Sequence, residues 1–225
     1  MIQADLWMNE LTDKLKERFA DRLLFVGLQG SYQRNEAHDA SDIDAVVILD
    51  TLSIEDITAY RALLQSMPER DKACGFIAGR QELFHWAKHE LFQFEQDTRA
   101  YFGDLHILLP SIERLDIAAS AKISACNLYH AVCHAAVHDS DPAEALKGLY
   151  KGAFFLLQIV YYLNNGEYIH AKKELLSKLA GEEQEILSIG MSWHEHVEQV
   201  RANPDEYFAR LLRWLSKTLN TTYVS

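Results

Sequence analysis

Asp42 and Asp44, one residue apart in Ser41-Asp42-Ile43-Asp44, are the side chains whose type and spacing point most directly to chemistry. They head the β-branched run 43–49, which reads as a strand. Side chains two apart on a strand project to the same side, so both carboxylates face one way and Ile43 and Ala45 face the other. Two carboxylates ~4 Å apart repel by ~1–4 kcal/mol, depending on the surrounding dielectric. A divalent cation removes that repulsion, and Mg²⁺ favours a few carboxylate oxygens together with substrate phosphates. Two such ions ~3.5–4 Å apart can serve both the attacking and the leaving oxygen of a phosphoryl centre.

Ten residues separate Gly30-Ser31 from Asp42. A glycine lets a phosphate approach the backbone closely, and successive N–H groups in such a turn make a nest for an anion. The Ser31 hydroxyl adds a donor, and Arg34 in the following loop offers a forked guanidinium.

These residues need elements to hold them. Leu6, Trp7, Leu11, Leu15 and Phe19 recur at helical spacing, which predicts an amphipathic helix over 4–21. Residues 23–28 read as a buried strand closed by Gln29-Gly30-Ser31, and 32–41 as a polar loop. Ser53 and Asp56 nearly spell a capping box, so a helix is expected over 54–66, before Pro68. Strands are also expected over 74–78 and 91–97, the latter with Phe92 and Phe94 on one face.

Beyond Pro110 the patterns are helical: 111–138, then 142–163 behind an Asp141-Pro142 start, 171–179, 182–189 and a last helix from Asn203-Pro204. Residues 153–163 are apolar all round, as suits the centre of a bundle. The expected fold class is α+β: a mixed sheet flanked by helices over 1–110, then a helical bundle over 111–225.

Composition sets outer limits. Of 225 residues, 48% are hydrophobic and 24% charged, which excludes a disordered or collagen-like chain. The net charge of −11 argues against non-specific nucleic-acid binding. Cys74, Cys126 and Cys133 make neither a disulfide framework nor a zinc ribbon. With no signal-peptide pattern, and the longest apolar run too short for a bilayer, a cytoplasmic protein without membrane partners is expected.

Gly30-Ser31-Tyr32-Gln33-Arg34, followed by Ser41-Asp42-Ile43-Asp44, resembles the polymerase beta-type nucleotidyltransferase superfamily, in its minimal and antibiotic nucleotidyltransferase branch. One departure is Asn35, where the family often has glycine. The resemblance implies a nucleoside triphosphate as substrate, most simply ATP, and two Mg²⁺ ions. It gives Gly30, Ser31, Arg34 and Ser41 to the nucleotide, and Asp42 and Asp44 to metal binding and catalysis. A third carboxylate is expected on a neighbouring strand. The alternatives are Glu95 and Asp97, and Asp97 is preferred because its strand end opens toward Thr98 and Gly103.

The implied reaction moves a nucleoside monophosphate to a hydroxyl of an acceptor, expected to be a small molecule such as an antibiotic, and releases pyrophosphate; the acidic composition favours a cationic one. The alternative is a weakly active or inactive interaction protein of the antitoxin type. The second half resembles the HEPN-like bundles that accompany these transferases, though the arginine–histidine pair of HEPN ribonucleases is missing. By the same resemblance, Lys151 or Lys173 supplies a charge to the triphosphate, with Lys151 carried forward, and a homodimer is allowed. One constellation stands outside this scheme: His130, His134 and His138 recur every four residues near Cys126 and Cys133, a spacing able to bind zinc or nickel, although packing is the commoner use of such a stripe.

Overall fold

The computed structural model describes residues 2–223. It divides into two compact units, Met1–Ile112 and Glu113–Ser225. The first contains, in chain order, α1 (Ala4–Phe19), β1 (Leu23–Gln29), α2 (Gly30–Gln33), β2 (Ile43–Leu49), α3 (Ile54–Gln65), β3 (Ala73–Gly79), α4 (Arg80–Phe84), α5 (Lys88–Gln96) and β4 (Arg99–Phe102). The second contains α6 (Arg114–His138), α7 (Pro142–Asn165), α8 (Lys172–Lys178), α9 (Gly181–Met191), α10 (Trp193–Ala202) and α11 (Pro204–Asn220). The class is thus α+β, as the patterning predicts. Among the described residues no helix is long and apolar enough to cross a membrane.

The sheet runs β3-β2-β1-β4. β1 is antiparallel to both β2 and β4, while β2 and β3 run parallel. Alternation along β2 splits its side chains between two cores. Ile43, Ala45, Val47 and Leu49 join Trp7, Met8, Leu11 and Leu15 of α1 and Tyr60 of α3. Val46 and Ile48 join Phe25, Ala78, Leu83 and Leu91, on the side covered by α4 and α5. The α3 helix starts as its sequence predicts: Ser53 and Asp56 cap reciprocally. Asp56 also takes two hydrogen bonds from Arg22, at 2.8 and 2.9 Å, which tie the helix start to the foot of β1.

One element differs in kind from its expectation. Residues 91–97 form no strand. Lys88–Gln96 is the helix α5, and the fourth strand is the short β4 that follows it. Lys88-His89-Glu90-Leu91-Phe92-Gln93-Phe94-Glu95-Gln96 is rich in good helix formers, and Leu91 and Phe94 stand three apart on the side that meets the sheet. The alternation of Phe92 and Phe94 is too short to outweigh those propensities. The α4 and α10 helices were also not anticipated.

In the second unit α7 is the central helix. Leu146, Tyr150, Ala153, Phe154, Leu157 and Ile159 are buried along it. The Gln158 amide, wholly buried, donates to the Ile169 carbonyl at 2.8 Å, and the Tyr150 hydroxyl donates to the Tyr207 carbonyl at 3.1 Å. The Gln158 N–H and the Tyr150 hydroxyl thus each find a backbone carbonyl inside the bundle.

Candidate active site

The site begins at the turn between β1 and α2. Gly30 has φ of +72°, a left-handed conformation that a side chain would strain. A Cβ added there would lie 3.0 Å from Asp44 Cγ and closer still to its Oδ2. Glycine is therefore required twice, by the backbone and by the carboxylate that fills the space. The pairing explains the approach: Gln29 is the antiparallel partner of Asp44, so the turn after β1 starts beside the carboxylate that opens β2.

Asp44 faces the α5 side, since Ile43 and Ala45 occupy the opposite core. The same alternation, continued one residue back, gives that side to Asp42, which is exposed just ahead of β2. Gln29 shares the face. Its amide donates to the Phe94 carbonyl at 3.2 Å and to Thr98 Oγ1 at 2.7 Å, so the residue beside Asp44 is fastened to the last turn of α5. Thr98 Oγ1 itself donates to the Phe94 carbonyl.

Asp97 reaches this region by a route other than the one expected. It is the buried C-cap of α5, next to Thr98, and not an alternate of a strand. Glu95, the other candidate, is engaged by His106, with its Oε1 2.7 Å from Nδ1. That contact raises the His106 pKa above its ordinary value, the hydrogen bond being the leading cause. The strand-parity reason for either acid is thus withdrawn. Among the described residues no three His, Cys, Asp or Glu side chains are arranged to hold an ion together, so Asp42, Asp44 and Asp97 are not a preassembled trio.

The loop residues occupy varied positions. Ser31 is half-buried on α2. Arg34 turns inward to Glu36, Nε to Oε2 at 3.4 Å, with its side chain 8% exposed. Asn35 takes φ of +56°, the left-handed conformation that glycine serves in the family and asparagine tolerates. Ser41 is buried, and its Oγ accepts from the His38 N–H at 2.9 Å, bracing the loop. Lys151 is exposed on α7 and belongs to the second unit, whereas Gly30, Asp42, Asp44 and Asp97 all belong to the first.

A carboxylate not singled out from the sequence also faces this side of the sheet. Glu90, in the first turn of α5, lines a hollow of about 240 Å³ with Phe76, Leu83, Trp86, Leu91 and Phe94. Trp86 Nε1 donates to Glu90 Oε2 at 2.6 Å and sets its direction. The i, i+4 spacing of Glu90 and Phe94 is the signal available in the sequence, and a strand reading of 91–97 hides it.

The donor set suits a hard cation: carboxylates on one strand side, beside a backbone turn that no side chain can fill. Residues 8–101 match the family model of the nucleotidyltransferase domain. No curated protein matches the sequence. Among solved structures, the chain is similar to spectinomycin adenyltransferase AAD(9) from Enterococcus faecialis, crystallised with ATP and spectinomycin; TM-score is 0.54 at 15% identity, covering 96% of this chain and 99% of that one. The matched segment, 8–101, holds Gly30, the Asp42–Asp44 pair and the sheet up to Tyr101, so the likeness to the nucleotidyltransferase domain falls on the candidate site.

Proposed function

We propose that the protein transfers a nucleoside monophosphate, AMP from ATP, to a hydroxyl of a small-molecule acceptor and releases pyrophosphate. The observation that carries this reading is the placement of Asp44 against Gly30, with Asp42 at the same strand end. Asp42 and Asp44 would hold Mg²⁺, with Asp97 from the end of α5 as third ligand. Bound there, Mg²⁺ supplies charge neutralisation for the triphosphate. Gly30 leaves its backbone open to the phosphates, and Ser31 offers its hydroxyl to the same group. The α5 carboxylate Glu90, held by Trp86 on the same side of the sheet, would take the acceptor's proton as the hydroxyl attacks the α-phosphorus in line.

The chemistry asks for positioning more than for a reactive side chain, and the β-sheet supplies a rigid base for it. The acceptor class is read from charge: a net charge of −11 favours a cationic small molecule over a nucleic acid. The neighbour's antibiotic acceptor supports the same class. A cytoplasmic setting, where ATP and Mg²⁺ are plentiful, belongs to the proposal. The test is incubation with α-labelled ATP and a panel of aminoglycosides, aminocyclitols and other amine-bearing alcohols. Label transferred to one of them, with pyrophosphate released, supports the reading. Label that reaches none of them, while ATP still binds, contradicts the acceptor class.

A further inference from the structure

The histidine stripe of α6 is not used by the proposed reaction. His130, His134 and His138 all project to solvent from one 25-residue helix. Their spacing is not uniform in space: the His134 and His138 ring centroids are 4.9 Å apart, those of His130 and His134 6.2 Å. With imidazole nitrogens ~2.1 Å from a shared ion, each ring centre lies ~3.2 Å from it, and near-tetrahedral ligation puts the two centres ~5 Å apart. The 134–138 pair meets that condition as it stands, and the 130–134 pair is too wide.

We propose that His134 and His138 form a two-imidazole chelate for a divalent transition ion such as Zn²⁺ at the C-terminal end of α6. Imidazole favours zinc, nickel and copper over magnesium. Both rings are already solvated at the surface, so binding strips little water from the protein, and water fills the remaining coordination positions. The helix backbone fixes the two ligands one turn apart, so little freedom is lost on closure. The chelate spans the final turn of α6, just before the Asp139–Asp141 connection into α7.

The test uses the full-length protein without a histidine tag, titrated with Zn²⁺ by calorimetry in excess Mg²⁺, which occupies oxygen sites without competing for imidazole. One Zn²⁺ per chain is expected for the wild type. His134→Ala and His138→Ala should each weaken binding by about tenfold or more. His130→Ala and Cys133→Ser should leave it within about twofold. All four positions are solvent-facing or half-buried, and unchanged far-ultraviolet circular dichroism verifies the fold. No wild-type binding, binding indifferent to His134→Ala or His138→Ala, or an equal loss in His130→Ala or Cys133→Ser would overturn the chelate.

Discussion

On the side of the sheet covered by α1 and α3, β2 presents Ile43, Ala45, Val47 and Leu49, each at 0% exposure. On the side covered by α4 and α5, the same strand opens with Asp44 beside the Gly30 turn, and becomes apolar only at Val46 and Ile48. One seven-residue strand thus has an unbroken apolar row on one side and a charged end on the other, and the proposed function places chemistry only on the second. The closed side can be apolar throughout because nothing has to enter it. The other side must leave its strand end wet and charged, and it makes up the lost packing further along. The consequence is that substitutions at odd and even positions of β2 should fail in different ways.

The largest separation is expected for Asp42→Asn and Asp44→Asn. Each should lower nucleotide transfer by about a thousandfold, roughly 4 kcal/mol in the barrier, while thermal stability stays level or rises as a repulsive pair is relieved. Both variants must be compared with wild type by initial rates and by melting. Retained activity would break the comparison at its charged side.

Val47→Ala probes the opposite side of the strand. A buried methyl pair is lost from a core with no exposure, so unfolding free energy should fall by about 2 kcal/mol in denaturant titration. The rate per folded molecule should stay within about twofold. A large rate loss at full folding would show that the two sides are not independent.

Gly30→Val sharpens the picture at the turn. The added side chain collides with the Asp44 carboxylate and must hold a left-handed backbone. ATP affinity should drop by at least about tenfold, equivalent to about 1.4 kcal/mol, as read by competition with a fluorescent analogue. Unchanged affinity would move the phosphates away from Gly30.

The smallest effect is expected at the rim, in His106→Gln. His106 is raised in the folded state by its bond to Glu95, so its contribution is fully present below its unfolded value of ~6.5 and is lost as pH rises through the folded pKa. The difference in stability between wild type and variant should therefore be seen at pH 6 and shrink toward pH 9. A difference that grows with pH would contradict the assignment.

Much of this was legible in the residues because the signals were local and doubled. The β2 strand is announced by a β-branched run, its charged end by Asp-x-Asp, and the turn by Gly30-Ser31, each consistent with the others. The α5 region carried conflicting signals: two alternating aromatics suggested a strand, and the surrounding Glu, Gln, Leu and Lys suggested a helix. Tertiary packing on Phe76 and Leu83 resolves that conflict in favour of the helix. The role of Gln29 was not legible at all, because its partners, Phe94 and Thr98, are more than sixty residues away. Arg34 is a further case: a guanidinium in a phosphate loop suggests a ligand contact, yet Glu36, two residues on, already holds it.

The central claim is that Asp42 and Asp44 bind a magnesium-complexed triphosphate beside Gly30. Its most direct test is calorimetric titration of wild type and Asp44→Asn with ATP, with and without Mg²⁺. The account predicts binding by the wild type only when Mg²⁺ is present, a stabilisation of ~2.7 kcal/mol at 100 times the dissociation constant, and loss of both in Asp44→Asn. Equal ATP affinity in the two proteins, or affinity indifferent to Mg²⁺, would contradict it.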